Sequence, residues 1–329
     1  MEKMAKLRTT PQFRTFWEFA VERQNIFFKR LRGEDAPWTA DPILQTYKFV
    51  NVYRASDRVS QYLIRNVIRP ADSVTDTIFR VVLFKIFNRI STWETLSDEF
   101  EELIWSNYSF KDYYTFLSVV MKERKQPIFN SAYMLPGQRS KQLLGTHYAR
   151  KHGVYLRVLE KMLRDVDIVT GAESLEQLYN ILISYPYVGR FLAYQWAIDL
   201  NYTDIFNFSE NDYVVPGPGC IRGMDKCFKA IHTTQYVPAL ISIQEHQNEW
   251  MDRFGLLEEW KNLFGRQLHL IDIQSLFCEV DKYTRVSNPT GNNYRRKRPK
   301  SKFKAHSEPI AYIYPPKWDI NAEVAKFVR

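Results

Sequence analysis

The stretch of sequence that decides the fold runs from residue 185 to residue 228 and reads YPYVGRFLAYQWAIDLNYTDIFNFSENDYVVPGPGCIRGMDKCF. A tight turn that contains Gly189 is followed by an apolar segment of helical length, and a loop that carries Asp212 leads into a turn rich in proline and glycine. Glycine lets a backbone come close to a ligand, and Arg190 adds a positive charge beside it. The turn therefore suits a bound anion, with an ordinary helix–helix turn as the alternative.

The composition of the chain favours a helical protein that binds a polyanion. Its 329 residues, of which 45% are apolar, are enough to bury a sizeable core. Only 12 glycines are present, which argues against Rossmann and β-rich folds, because these use glycine in their many turns. The net charge of +9 favours nucleic acid as a partner, since each Lys or Arg placed on a phosphate releases counterions. A basic protein without such a partner is the alternative.

Apolar periodicity predicts helices along most of the chain, and we expect an all-α fold. Asp41 followed by Pro42 predicts an N-cap with proline at the first helical position. After this cap, residues 43–68 are expected to form one long helix or two joined helices. Further helices are expected over residues 74–90, 92–104, 110–124, 140–165, 174–183 and 226–283.

The segment 174–228 resembles the catalytic part of the helix-hairpin-helix DNA glycosylases. In that family a hairpin that turns on glycine is followed by an apolar helix, a loop and a catalytic aspartate, and Asp212 lies 23 residues after Gly189, close to the family's spacing. Tyr187 stands where the family has its first hairpin glycine. Phe191 stands where lyase members carry a lysine, so Schiff-base chemistry is disfavoured. The resemblance implies a glycosylase-like helical fold with Asp212 in the catalytic position; an aspartate that caps the next helix is the alternative.

Three blocks resemble the phage thymidine-hypermodification family. They read FWEFAVERQNIFFKRLRGEDAPWTADPILQTYKFVNVYRASDRVSQYLI, SENDYVVPGPGCIRGMDKCF and DIQSLFCEVDKYTR, and the similarity extends from about Phe13 to Arg285. This family contains the α-glutamyl/putrescinyl thymine pyrophosphorylases, also called amino acid:DNA transferases, and it shares its helical domain with the 5-hydroxymethyluracil DNA kinases. A DNA kinase needs a phosphate-binding loop of the type GxxxxGK followed by Ser or Thr, and these 329 residues contain none.

The resemblance therefore implies the stand-alone transferase. Its substrates would be double-stranded DNA that contains 5-pyrophosphoryloxymethyluracil and a free amino acid or polyamine, whose amine displaces pyrophosphate. Such a reaction needs cations for the leaving group, a carboxylate for the amine and a base turned out of the duplex. We take Asp212 as the catalytic carboxylate. The candidate substrate-binding residues are Arg23, Arg30, Asn51, Arg54, Asp57, Arg222, Glu279, Lys282 and Tyr283.

The polar residues of the N-terminal part have structural alternatives. Asn51, Arg54 and Asp57 recur at three-residue spacing, so on a helix they would share one face, either as a pocket wall or as a buried salt-bridge network. Arg23 and Arg30 lie seven residues apart on one helix face, where they reach the pyrophosphate or sit in solvent.

The same holds for the residues nearer the C-terminus. Glu279 and Lys282 have the spacing of an ion pair on one helix face. The functional alternative places Lys282 on a phosphate and Tyr283 near the flipped base. Arg222 follows a turn of prolines and glycines that suits a bound phosphate or pyrophosphate, with a purely structural turn as the alternative.

Contacts with the DNA backbone are expected from three parts of the chain. They are Tyr187, Gly189 and Arg190 in the hairpin, Arg139 and Lys141 in an irregular connection, and Arg295, Arg296 and Lys297 in a basic, flexible loop over residues 286–308. For the basic loop, a solvated tail or a nuclear-targeting segment is the alternative.

No cofactor and no bound metal are expected, although Mg²⁺ could accompany the pyrophosphate. Three cysteines form neither a disulfide framework nor a zinc pattern, which indicates a reducing compartment. No signal peptide and no apolar run of membrane length are evident, so we expect a cytoplasmic protein, in the host cytoplasm if it is phage-encoded, without a membrane partner. We further expect a monomer with one helical domain over residues 1–329.

Two other functions are open on the sequence. A monofunctional DNA glycosylase would need only the hairpin and Asp212, but it would leave the arginine-rich N-terminal cluster unexplained. A non-catalytic DNA-binding accessory domain is the other. A pocket at Asp212 lined by several Lys or Arg would favour pyrophosphate chemistry, a neutral aromatic pocket would favour base excision, and a filled pocket would favour the accessory role.

Overall fold

The structure is a computed structural model that describes residues 8–69, 73–131, 150–289, 299, 301–304 and 310–327. These described residues form fifteen α-helices and no β-strand, which confirms the all-α fold. In chain order the helices are α1 (Pro11–Leu31), α2 (Pro42–Thr46), α3 (Arg58–Tyr62), α4 (Val74–Phe87), α5 (Ile90–Glu99), α6 (Phe110–Lys122), α7 (Lys151–Arg164), α8 (Val166–Thr170), α9 (Leu175–Ile183), α10 (Arg190–Leu200), α11 (Pro218–Cys227), α12 (Tyr236–Glu245), α13 (Gln247–Arg253), α14 (Leu270–Ser287) and α15 (Asn321–Phe327). No described helix is both long and apolar enough to cross a membrane.

The chain divides into two compact units. Unit 1 combines Met1–Asp57 with Tyr213–Arg329, and unit 2 is Arg58–Asp212. The predicted hairpin therefore belongs to unit 2, whereas all nine candidate substrate-binding residues belong to unit 1. A single domain over the whole chain stays a prediction.

Unit 1 is built around α14, which packs against α1, α11 and α12. The ring of Phe277 on α14 stacks on Phe16 of α1 with 4.3 Å between the ring centroids. Helix α11 comes so close to α14 that a Cβ atom on Gly223 would lie 2.1 Å from the carbonyl oxygen of Phe277. The glycine therefore lets the two backbones touch.

Unit 2 is built around α4, whose residues are buried on almost every side between α7 and α10. Its Lys85 forms a buried ion pair of 3.0 Å with Asp199 of α10. Helices α9 and α10 pack on each other, and Ser174 caps α9 by accepting a hydrogen bond from the backbone N–H of Gln177. Helices α4, α6 and α9 lie within the ranges expected from the sequence.

The long helix expected over residues 43–68 is wrong. The cap at Asp41 is confirmed, because its side chain accepts hydrogen bonds from the N–H groups of Ile43 and Leu44, but α2 ends at Thr46. An irregular segment follows, then a 3₁₀ turn (Arg54–Ser56), the short α3 and a π turn (Leu63–Val67). Polar side chains in the segment bond to its own backbone, which competes with helix formation.

The continuous helix expected over residues 226–283 is also wrong in its middle part. No described helix lies between Arg253 and Leu270. Gly255 and Gly265 there have φ angles of +70° and +92°, and a tight turn pairs Leu263 with Arg266. Glycines in the left-handed region end a helix readily, because they carry no Cβ to clash.

Candidate functional site

A cluster of polar side chains in unit 1 holds the irregular segment that follows α2. The Glu279 carboxylate accepts a hydrogen bond from the N–H of Val50 at 3.2 Å and pairs with Lys282. The Arg23 guanidinium donates to the carbonyl oxygen of Val50 at 3.2 Å and to Oδ1 of Asn51 at 2.9 Å. We call Arg23, Asn51, Asp57, Glu279 and Lys282 the charged cluster.

Asp57 closes the cluster from the other end of the segment. Its Oδ1 accepts a hydrogen bond of 2.7 Å from the N–H of Asn51, whose amide donates in turn to the carbonyl oxygen of Ser56 at 2.7 Å. These bonds fix residues 50–57 as a compact loop. Asn51 and Asp57, which were expected on one helix face, therefore come together within a loop instead. The alternatives of pocket wall and salt-bridge network both stay compatible with this arrangement.

Burial sets the electrostatics of the charged cluster. It lowers the pKa of Arg23, which is only 8% exposed, although Asp57 and Glu279 counteract it. Burial and the nearby Glu279 raise the pKa of Asp57 to about 6, against the hydrogen bond from Asn51. Burial would lower the pKa of Lys282, but Glu279 outweighs it and raises that pKa. The Lys282 side chain is 37% exposed, so this cation also reaches solvent.

Two further arginines predicted for this site, Arg54 and Arg30, have contacts in unit 1. Arg54 is buried in the same loop, and its backbone N–H donates to Oδ1 of Asp272 at 2.8 Å. The Arg30 guanidinium lies over the ring of Trp38, 5.0 Å from its centroid. Arg30 also contributes to the low pKa of Arg23, as expected for two like charges that lie near each other.

A second feature of unit 1 is a pocket of about 260 Å³ lined by four carboxylates and no Lys or Arg. We call it the acidic pocket; the carboxylates are Glu18, Glu22, Asp41 and Glu259, and the other lining residues are Thr15, Phe19, Val21, Leu44, Leu256 and Tyr283. The Tyr283 hydroxyl donates to Oδ2 of Asp41 at 2.6 Å, and burial together with this carboxylate raises the pKa of Tyr283. Glu18 also pairs with the exposed Arg14 at 2.7 Å.

Arg222, predicted for the pyrophosphate, lies in a separate ionic group. It pairs at 3.1 Å with the buried Asp281, which also pairs with Lys226 at 2.9 Å and with Arg285. Burial opposes ionisation of Asp281, but the hydrogen bonds from Arg285 and Lys226 prevail and lower its pKa. Asp281 is thus the shared partner of three cations, two from α11 and one from its own helix.

The hairpin of unit 2 connects α9 and α10 as the sequence predicts. Gly189 is the N-cap of α10, no side chain caps this helix, and an added Cβ on Gly189 would meet nothing within 4 Å. Arg190 is exposed at the first helical position. Tyr187 has a φ angle of +66°, so it adopts the left-handed conformation that glycine favours at this hairpin position.

Asp212 lies at the end of unit 2, on an exposed bend. Its backbone N–H donates to the carbonyl oxygen of Ser209 at 3.3 Å. Its catalytic role stays a prediction. The residues Arg139, Lys141, Arg295, Arg296 and Lys297 lie outside the described part of the chain, and so does most of the basic loop 286–308.

Sequence reasoning missed the acidic pocket. Glu18 and Glu22 lie four residues apart on α1, a spacing that places both on one helix face. This pair could have been recognised from the sequence. Asp41 was assigned only a capping role. Glu259 comes from the irregular part between α13 and α14, where no periodicity relates it to α1.

The comparisons with known proteins identify the family. The family model described as "5-hmdU DNA kinase, helical domain" matches residues 10–293. A curated relative, the 5-hmdU DNA kinase of Bacillus phage SP10, is 25% identical over 337 aligned positions, which cover 94% of this chain and 52% of the relative. The chain thus spans about half the length of that relative. No solved structure matches the chain. Because the family model covers most of its length, the chain belongs to the family of 5-hmdU DNA kinase helical domains.

Proposed function

We propose that the protein is a DNA-modifying transferase, in which an amino acid or polyamine amine displaces pyrophosphate from 5-pyrophosphoryloxymethyluracil in DNA. The observation that carries the proposal is the position of Lys282 and Tyr283, consecutive on α14. Lys282 belongs to the charged cluster and Tyr283 to the acidic pocket. A cation that reaches solvent therefore lies next to a pocket lined by carboxylates, which are the two environments that a leaving pyrophosphate and an attacking amine require.

The acidic pocket favours a cationic donor. Four carboxylates without a Lys or Arg in the lining would repel the phosphates of DNA and attract an ammonium group. The walls from Phe19, Leu44 and Leu256 suit the methylene groups of a polyamine or of a long amino acid side chain. This selection is notable in a chain of net charge +9, whose overall field favours anions.

The reaction balances without a cofactor that changes oxidation state. The lone pair of the deprotonated amine forms a bond with the 5-methylene carbon, while the bond from that carbon to the pyrophosphate oxygen breaks and pyrophosphate leaves with the electron pair. A carboxylate takes the proton of the ammonium, and the acidic pocket supplies four candidates for this role. Mg²⁺ could accompany the pyrophosphate in this scheme.

Membership of the family supports a role in thymine hypermodification. The SP10 relative bears the name of a kinase for 5-hmdU in DNA, and the match to this chain covers 52% of it. The 329 residues here contain no GxxxxGK sequence followed by Ser or Thr, the loop that binds nucleotide phosphates in one large class of kinases. We therefore propose that the kinase reaction of the relative belongs to the part of that protein outside the match, and that this chain carries out the transfer.

The test is a reaction with defined DNA. Purified protein is incubated with duplex DNA that contains 5-pyrophosphoryloxymethyluracil, with amino acids and polyamines, and the nucleosides are identified by mass spectrometry. We expect a new amine-linked nucleoside whose yield falls in Lys282→Met, Glu22→Gln and Asp212→Asn. Glu245→Gln is the matched control, because Glu245 is an exposed carboxylate of unit 1 outside the acidic pocket. Released base or abasic sites would overturn the proposal in favour of a glycosylase.

A second candidate is a DNA-binding module without activity of its own. It is favoured by the family description, which names a helical domain of a larger enzyme, and by the coverage of the relative. The same reaction decides between the two. Tight binding of the modified duplex with unchanged nucleosides, in the presence of every donor, would support the module and remove the transferase.

A further inference from the structure

A group of exposed lysines in unit 1 has no part in the proposed reaction. It forms where the described segment 301–304 lies beside residues 46–48, which contain the end of α2 and the residues after it. Two backbone hydrogen bonds of 3.0 and 2.9 Å join the two segments, and Tyr47 and Lys302 form an antiparallel bridge between them. Two remote parts of the chain therefore share one small surface.

The segment 301–304 consists of an anchor and two cations. Beside an antiparallel bridge, successive side chains alternate between two faces, so Lys302 and Lys304 share one face and Phe303 takes the other. Phe303 is half-buried and meets the ring of Trp38 edge-to-face, with 6.3 Å between the ring centroids. Lys302 and Lys304 are exposed, and a rise of about 3.3 Å per residue places them about 7 Å apart. The aromatic contact thus holds the two lysines toward solvent.

Trp38, which receives the anchor, is itself held in place. Its Nε1–H donates to the carbonyl oxygen of Glu34 at 2.6 Å, and its own carbonyl oxygen accepts a hydrogen bond from Nζ of Lys29 at 2.9 Å. The guanidinium of Arg30 lies over its ring. The anchor therefore rests on a fixed part of unit 1 that carries a further cation.

The lysines of this surface are not neutralised by carboxylates. We call Lys48, Lys302 and Lys304 the lysine ridge. All three are exposed, and none of them forms an ion pair with a carboxylate in the described part of the chain. By contrast, the exposed Arg14 and Arg32 each pair with a glutamate. Three uncompensated positive charges on one small surface attract a polyanion.

The lysine ridge lies near the acidic pocket along the chain. Helix α2 has five residues, so it spans about 8 Å between its N-cap Asp41, which lines the acidic pocket, and Thr46 at the ridge. Phosphates are therefore attracted at one end of α2 and repelled at the other. A polyanion bound on the ridge is kept out of the pocket proposed for the amine.

From these observations we infer that the lysine ridge binds the phosphate backbone of double-stranded DNA, in contacts that do not depend on base sequence. A lysine ammonium contacts phosphate as a point charge, and each strand of a duplex repeats its charge at every 3.4 Å of the helix axis, so one duplex engages several lysines. The interface lies wholly in unit 1, whereas the hairpin belongs to unit 2. It does not require the transfer reaction, because contacts with the backbone are independent of the chemistry at a base.

The first test is binding of an unmodified duplex, measured by fluorescence anisotropy at several salt concentrations. The ridge variant combines Lys48→Ala, Lys302→Ala and Lys304→Ala. The control variant loses the same charge from three other exposed lysines of unit 1, through Lys229→Ala, Lys261→Ala and Lys326→Ala. Each phosphate contact contributes about 0.9 to the slope of log affinity against log salt, so the ridge variant should lower this slope by about 2 to 3. The control should lower it by less than about 1.

The second test separates the position of the lysines from their charge. Phe303→Ala leaves the net charge unchanged but removes the anchor, so it should weaken duplex binding at low salt in the same direction as the ridge variant. Leu257→Ala, the loss of another partly exposed apolar side chain of unit 1, should leave binding unchanged. Thermal unfolding of each variant checks that unit 1 remains folded.

The third test maps the interface on the wild-type protein. The full-length chain is briefly acetylated with and without the unmodified duplex, and the modified lysines are quantified by mass spectrometry. We expect the duplex to protect Lys48, Lys302 and Lys304, while Lys229 and Lys261 react equally in both samples.

The outcomes separate this inference from the transferase. Equal salt slopes of the ridge and control variants, together with unprotected ridge lysines, would overturn the ridge as a DNA interface and leave the transferase standing. A lowered slope and protected lysines without any transferred amine on modified DNA would support the ridge and count against the transferase. A wild-type protein that binds no duplex at low salt would overturn the ridge as well.

Discussion

Glu259 and Trp260 are neighbours in the chain, yet Glu259 lines the acidic pocket and Trp260 lines a second pocket of about 510 Å³. Leu256 and Leu257 are divided in the same way. The short stretch from 256 to 260 is therefore a wall that the two pockets share.

This relationship predicts that neighbouring substitutions have separate effects. Glu259→Gln removes one exposed carboxylate from the acidic pocket, and an exposed charge pair corresponds to about two- to fivefold in affinity, so the apparent KM for a polyamine should rise by that factor. DNA affinity should stay the same or increase slightly. Trp260→Phe lies outside the acidic pocket and should leave the KM for the amine unchanged. The measurements are amine titrations of the transfer reaction and anisotropy with labelled DNA.

Equal effects of both substitutions on both substrates would contradict this separation. Such a result would mean that the stretch 256–260 acts through general folding of unit 1. Thermal unfolding of the two variants provides the control for that case.

The hairpin predicts a stability difference between two substitutions of Tyr187. Both Tyr187→Gly and Tyr187→Ala remove the half-buried ring, but only alanine keeps a Cβ at a φ angle of +66°. Left-handed backbone costs an L-residue with a Cβ about 1 kcal/mol or more. The glycine variant should therefore unfold with a free energy about 1 kcal/mol higher than the alanine variant, measured in urea. An alanine variant of equal or greater stability would show that the turn relaxes to another conformation.

Gly189 tests the same hairpin for DNA binding. Because an added Cβ meets nothing within 4 Å and φ is −83°, Gly189→Ala should change the free energy of unfolding by less than about 1 kcal/mol. If the backbone N–H groups at the start of α10 bind a phosphate, the methyl group separates them, and the loss of one such bond weakens DNA binding at least about tenfold. Ser106→Ala is the control, since Ser106 is an exposed residue of unit 2 outside the hairpin. Identical affinities of the two variants would remove the hairpin from the DNA interface.

Local sequence signals predicted the elements that depend on neighbouring residues. Asp41 before Pro42 is the predicted N-cap, whose chemistry acts within one helical turn, and Gly189 lies in the predicted turn before α10. The irregular segment after α2 failed as a prediction because its partner is remote: Val50 is held by Glu279, 229 residues away in the chain. Apolar periodicity carries no information about such a remote contact. The three-residue spacing of Asn51, Arg54 and Asp57 was therefore wrongly interpreted as one face of a helix.

The candidate site residues also divide into those set by neighbouring residues, which the sequence predicts, and those set by remote contacts, which it does not. Glu279 and Lys282 form the ion pair that their spacing predicts. The carboxylates of the acidic pocket come from three separate parts of the chain, and only Glu18 and Glu22 could have been grouped beforehand. The pocket that Trp260 lines includes Phe264, whose φ angle of +52° is a conformation that a sequence rule would not assign to phenylalanine.

The raised pKa of Asp57 predicts how stability depends on pH. Its folded pKa of about 6 lies above the ordinary value, so between about pH 4 and 6 the folded state binds a proton that the unfolded state has lost. This contribution to stability is therefore present below pH 4 and disappears as the pH rises through 6. Asp57→Asn has no such proton. The difference in unfolding free energy, wild type minus variant, should fall between pH 4 and 6.5 by no more than about 3 kcal/mol and then stay constant.

Urea unfolding of both proteins at several pH values measures this difference, and any constant offset from the lost charge beside Arg23 cancels in the slope. A difference that rises over the same interval would mean that Asp57 has a lowered pKa and is held by its arginine neighbours. The relevant groups near it are Glu279, Arg23 and Arg54.

The contact between α11 and α14 makes the sharpest stability prediction. A Cβ on Gly223 would lie 2.1 Å from the carbonyl oxygen of Phe277, which is backbone and cannot rotate away, so Gly223→Ala has to separate the two helices and should cost about 3 kcal/mol or more. Gly219 lies on the same helix, but its Cβ would meet Cys278 at larger distances, 3.0 Å from Sγ, 3.2 Å from Cβ and 3.6 Å from Cα. Alanine is the better helix former by about 1 kcal/mol, and this gain offsets most of the strain at position 219. Gly219→Ala should therefore be nearly neutral in thermal unfolding while Gly223→Ala is strongly destabilised; equal melting temperatures would show that α11 does not rest on α14 at this distance.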